Sequence, residues 1–115
     1  MGRDQRAVAG LRRGDVVSAR LTKGRGHEQG SARPVVVLQT DAMANWSTVV
    51  IAPLSSSAQA AHFRPPITVR GRATRVMVDQ LRTVDVTRLG KRIGAVDATE
   101  LLDVEVALKR VLGLS

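Results

Sequence analysis

Through most of this chain apolar residues come at every second position or in short unbroken runs, and near the C-terminus alone they shift to a helical repeat. From Gly14 onward, Val17, Ala19 and Leu21 alternate with Ser18 and Arg20, the mark of a half-buried strand. Residues 35–38 and 48–52 are continuous apolar runs, as expected of strands covered on both faces. Two shorter β-like runs, 67–69 and 75–79, lie on either side of Gly71; residues 81–86 alternate strictly, and 92–96 add a last run. Between the strands, "TDAMANW" predicts a loop or helical turn, and "SSSAQAAHFRPP" is too polar and broken for core. The end reads differently. Asp97 with Glu100 three residues on forms a capping box. Leu101, Val104, Leu108 and Val111 then make one apolar stripe, Glu105 and Lys109 an i,i+4 pair, and Gly113 a stop.

This spacing predicts five or six short antiparallel strands curled into a small barrel of the SH3-like kind, mainly β, with one C-terminal helix (α+β). No helix-length segment separates the strands, which argues against a βαβ sheet. Residues 1–12 read as a polar tail and 13–115 as a single domain whose helix spans about 97–112.

Composition narrows the chemistry. Trp46 and Phe63 are the only aromatic residues, so the core is aliphatic and a stacking platform for bases is disfavoured. Without cysteine, disulfides and thiolate metal sites are excluded. No apolar run is long enough to span a membrane, and the N-terminus lacks a signal-peptide core, so a cytoplasmic protein is expected. The net charge of +8 is concentrated in two blocks. Residues 1–33 carry 8 basic and 3 acidic groups, and residues 62–92 carry 8 and 2. If the blocks converge, they form one face suited to a polyanion.

The loop "KGRGHEQGSARP" carries more polar chemistry than a strand connection needs. Arg33 precedes Pro34, which pushes it into extended backbone at a strand entrance, where its guanidinium can fork onto phosphate oxygens. His27, between Gly26 and Glu28, is an exposed group able to act as acid or base near neutrality. Ser55, Ser56 and Ser57 end the third strand and offer hydroxyl donors. No G-x-S-x-G elbow, H-E-x-x-H pair or P-loop is present, and neither a metal nor a cofactor is expected.

Several of these segments together resemble the MazF/PemK/Kid family of toxin endoribonucleases. "RRGDVVSA" resembles the family's opening strand and "GRGHEQGSARPVVVLQTD" its hallmark loop and second strand. "VVIAPLSSS" is similar to its third strand, and "VDQLRTVDVTRLGKRIG" to a later segment in which an Asp-Gln pair precedes a basic strand. The likeness spans residues 13 to about 113. It implies a homodimer that cleaves single-stranded RNA without metal at short sequence motifs and is neutralised by an antitoxin with an acidic tail. By motif position it makes Arg33 the catalytic arginine and sets Ser55 where many members carry threonine. It matches His27 and Asp79 to positions in proton transfer or substrate contact. RNA contacts are expected from Lys23, Arg25, Gln29, Ser56, Arg64, Gln80 and Arg82. Met77 stands where one branch of the family has a second arginine. Two alternatives share the fold: a CcdB-like gyrase inhibitor, which needs an aromatic near the C-terminus that this chain lacks, and a non-catalytic RNA-binding barrel.

Overall fold

A computed structural model describes residues 10–21 and 32–114. The valine-rich runs become strands because β-branched side chains pack well on a pleated surface covered from both sides. Seven strands result: β1 (Asp15–Ala19), β2 (Arg33–Val37), β3 (Thr48–Ser55), β4 (Pro66–Val69), β5 (Arg72–Val76), β6 (Arg82–Asp85) and β7 (Leu89–Ala95). Among the described residues one helix, α1 (Ala98–Leu112), follows them. Every pairing is antiparallel, in the order β4-β5-β3-β2-β1-β7, with β6 added against β3. Strand β3 is the spine. One edge pairs with β2, while the other gives residues 48–51 to β6 and residues 54–55 to β5.

The sheet curls into a half-barrel with two apolar clusters, one on each face. Val16, Val36, Leu38, Ala52, Leu54, Ile67, Val76 and Val78 pack under Val104 and Ala107 of α1. Val17, Ala19, Val35, Val37, Val49, Ile51, Val84 and Leu89 form the second cluster. Consecutive residues of β2 alternate between the clusters, so the unbroken valine run follows from burial on both sides. Each fully buried valine contributes about 1.5–3 kcal/mol by leaving water.

Three details differ from the sequence reading. Among the described residues there are seven strands rather than five or six: each run beside Gly71 forms its own strand across a tight hairpin, and β7 begins already at Leu89. The run 75–79 does not remain a strand: β5 stops at Val76 and Val78–Gln80 forms a 3-10 turn. That turn lets Val78 enter the core beneath α1, while the Met77 amide donates to the Pro53 carbonyl. Finally, Glu105 engages Arg13 rather than Lys109. Arg13 also donates through Nε to the Leu38 carbonyl and through its amide to Asp41, which ties the start of β1 and the end of β2 to the helix.

Helix α1 is capped as expected. The Asp97 side chain accepts from the Glu100 amide, and the Glu100 side chain accepts from the Asp97 amide. Gly113 adopts φ 70°, the left-handed conformation that closes the C-terminus. The buried stripe is centred on Val104 and Ala107; Val111 is exposed, together with Leu102, Val106, Leu112 and Leu114.

Candidate functional site

Strand β2 opens at Arg33 because Pro34 holds the preceding residue extended. Its register on β3 runs Val37↔Ile51, Val36↔Ala52 and Val35↔Pro53. Beyond the last of these pairs, Arg33 is the first residue of β2 and Ser55 the last of β3. Ser55 in turn pairs with Arg75 of β5. Directly opposed residues on neighbouring antiparallel strands have Cβ atoms about 4.5–5.5 Å apart. A guanidinium thus stands at the start of β2, and a hydroxyl in register with a second arginine at the end of β3. Deeper along the same two strands Val35, Val37, Val49 and Ile51 belong to the second core cluster. The site begins where that core ends.

Arg33 and Ser55 line one open cleft of about 570 Å³ at the ends of β2 and β3. The β4–β5 hairpin contributes Val69, Arg70, Arg72, Ala73 and Thr74 to its lining, and β7 contributes Ile93. Pro34, Leu54, Val69 and Ile93 give an apolar lining; Arg33, Arg70, Arg72, Ser55, Ser56 and Ser57 supply the polar groups. The first basic block thus meets the second here. Among the described residues, Arg33 makes no ion pair or side-chain hydrogen bond. The Ser55 oxygen accepts from the Ser57 amide at 3.3 Å and lies 3.3 Å from the Ser57 hydroxyl. Two hydroxyls sharing one contact leave one proton free for an acceptor in the cleft.

Asp79 does not line this cleft. It accepts both arms of Arg64, Nε to Oδ1 at 3.1 Å and Nη2 to Oδ2 at 2.9 Å. That forked bond holds its carboxyl below the ordinary aspartate range, and Arg64 is raised for the same reason. The Arg64 carbonyl accepts from Arg75 Nη1 at 2.9 Å, so the pair is connected to Ser55 only through Arg75. Arg64 also sits 5.5 Å from the centre of the Phe63 ring.

Ser56 lies in the cleft, whereas Gln80 is exposed on the 3-10 turn beside Asp79, and Arg82 is exposed on β6 opposite Ile51. Lys23, Arg25, His27 and Gln29 lie outside the described residues. Three arginines were not singled out by sequence reasoning: Arg70, Arg72 and Arg75. The signal available was "RGRATR", three cations around a turn glycine, in a stretch read only for its β pattern.

Known proteins share sequence and fold with this chain. Residues 12–112 match the profile of the PemK-like, MazF-like toxin of type II toxin–antitoxin systems. The chain is 43% identical over 91 residues to a protein of Mycobacterium tuberculosis named as a toxin, covering 78% of this chain and 85% of that one. It is 30% identical over 112 residues to the endoribonuclease MazF of Staphylococcus epidermidis, covering 91% and 93%. Among solved structures, a mycobacterial endoribonuclease in complex with its cognate antitoxin superposes with a TM-score of 0.77. That match is 20% identical and covers 92% of this chain and 98% of the other, so it speaks to the fold.

Proposed function

Because the chain belongs to the PemK-like, MazF-like family of type II toxins, we propose that it is a metal-independent endoribonuclease cutting single-stranded RNA at short sequence motifs. The observation that carries this reading is the convergence of Arg33 and Ser55, from the ends of adjacent strands, on one cationic cleft. In the proposed reaction the 2′-hydroxyl of one nucleotide attacks the adjacent phosphorus and the P–O5′ bond breaks. A 2′,3′-cyclic phosphate and a 5′-hydroxyl result. The chemistry needs a base for the 2′-proton, charge stabilisation at the crowded phosphorane, and an acid for the departing 5′-oxygen. Arg33 suits the second task, since a guanidinium stays cationic at any working pH and offers two parallel donors. The Ser55–Ser57 hydroxyl pair adds a neutral donor at the same phosphate.

Proton transfer falls to His27 in this scheme. Asp79 stays ionised through neutral pH and acts by fixing Arg64, whose own contact is with RNA, as are those of Lys23, Arg25, Gln29, Ser56, Gln80 and Arg82. Replacing Arg33 with alanine should lower the single-turnover cleavage rate at least ~100-fold, by analogy with loss of one oxyanion donor. Wild-type cleavage should persist in EDTA. Cleavage by Arg33→Ala at the wild-type rate would overturn the scheme.

The same reading proposes a cytoplasmic homodimer and a cognate antitoxin with an acidic C-terminal tail. The dimer is supported by the apolar groups that α1 and the residues after its cap leave in solvent: Leu102 at 60% exposed, Val106 at 47%, Leu112 at 52% and Leu114 at 65%. The acidic partner is supported by the net charge of +8 and by the arginines of the cleft. Among the described residues no helix is long and apolar enough to cross a membrane.

A further inference from the structure

The β4–β5 hairpin turns through Arg70 and Gly71 alone, between the paired residues Val69 and Arg72. Both turn residues have positive φ, 52° for Arg70 and 78° for Gly71, which defines a type I′ turn. Gly71 suits that backbone. Arg70 does not: it is the sole non-glycine residue with positive φ among those described, and its Cβ crowds the backbone there. Asparagine or glycine is the ordinary choice at this position. The strained residue also lines the cleft that holds Arg33 and Ser55. Arg72, immediately after the turn, lines it too.

Neither Arg70 nor Arg72 makes an ion pair or side-chain hydrogen bond among the described residues. Elsewhere the described arginines with a nearby carboxylate take it: Arg13 to Glu105, Arg64 to Asp79, Arg92 to Asp15. With Arg33, three arginines line a cleft that contains no acidic lining residue. Such an arrangement is relieved by a polyanion. The lining also has no aromatic ring, so binding here draws little on base stacking and most on phosphate contacts.

We propose that Arg70 and Arg72 form a phosphate-gripping wall that holds the RNA strand on the nucleotides flanking the one at Arg33 and Ser55. They are substrate-binding residues and take no part in bond making or breaking. The proposal rests on the endoribonuclease reading above and adds where the backbone outside the scissile phosphate is held. It also explains a backbone strain that the fold itself does not need.

Arg70→Asn separates the two roles, because asparagine fits the turn while abolishing the cation. This variant should melt about 2–5 °C higher than wild type, through relief of strain and of repulsion. Its KM for a single-stranded RNA should rise about tenfold, the loss of one charged hydrogen bond, with kcat little changed. Arg72→Gln should give a similar KM effect, and Arg70→Lys should restore much of the loss. Binding of a 2′-O-methyl RNA oligonucleotide, which cannot be cut, gives an independent readout. Its log–log salt slope should fall by about 0.7 for each arginine removed. Unchanged affinity and slope in Arg70→Asn and Arg72→Gln would overturn the wall. So would a fall in kcat at constant KM, which would make these residues part of the chemistry. Wild-type protein that neither binds nor cuts single-stranded RNA would instead sink the endoribonuclease reading, and the wall with it.

Discussion

Ser55 is the residue where a small chemical difference has the clearest consequence. It sits half-buried at the last position of β3, in register with Arg75 and one step outside the second core cluster. Its oxygen is held by the Ser57 amide, which fixes the lone pairs but leaves the side chain without the γ-methyl that restricts a threonine rotamer. Ser55→Thr should therefore keep RNA cleavage and match or raise the wild-type rate. Ser55→Ala should lose roughly 10–100-fold, since it removes one neutral donor to a developing negative charge. Single-turnover assays on one RNA check both. Equal rates for serine and alanine would remove the hydroxyl from the site. Arg33 and Ser55 were both legible from the order of residues, because a pre-proline arginine and a serine run at a strand end carry local meaning. That they line one cleft was not, since their approach depends on the β2–β3 pairing.

Helix α1 has two apolar sides, and only one belongs to the protein's own core. Its capping box and glycine stop were readable because both are local patterns within one turn of the chain. The buried stripe was read partly: Val104 is fully covered, whereas Ala107 takes the close approach to the sheet and Val111 lies in solvent. Glu105 shows the same limit, since its partner Arg13 stands 92 residues earlier. The outward set of Leu102, Val106, Leu112 and Leu114 is the surface we propose for a second copy of the chain. Val106→Asp should convert a dimer to a monomer in analytical ultracentrifugation at micromolar concentration. Its circular dichroism should stay that of the folded wild type, because the position is exposed. A wild-type protein that sediments as a monomer would refute the proposed dimer.

At the level of the folded molecule, one cationic cleft is asked to hold both RNA and antitoxin in the function proposed here. Occlusion is then competition, with a simple signature. A peptide from the cognate antitoxin's acidic tail should raise the apparent KM for RNA without lowering the rate at saturating RNA. Its affinity should fall steeply between low and physiological salt, as expected when charges pair across a solvent-accessible surface. Inhibition that lowers the maximal rate and ignores salt would place the antitoxin elsewhere.

The amino-acid order alone carries the strand-rich class, the capped terminal helix, the two basic blocks and the pairing of Arg33 with Pro34. Each is set by local sterics, by periodicity or by formal charge, and none needs a distant contact. Folding contributes what depends on register and curl. It brings Arg33 and Ser55 to one cleft, commits Asp79 to Arg64, and adds Arg70 and Arg72 of the β4–β5 hairpin to the same lining. Those placements join residues far apart in the chain, and backbone pairing across the curled sheet is the force that fixes them.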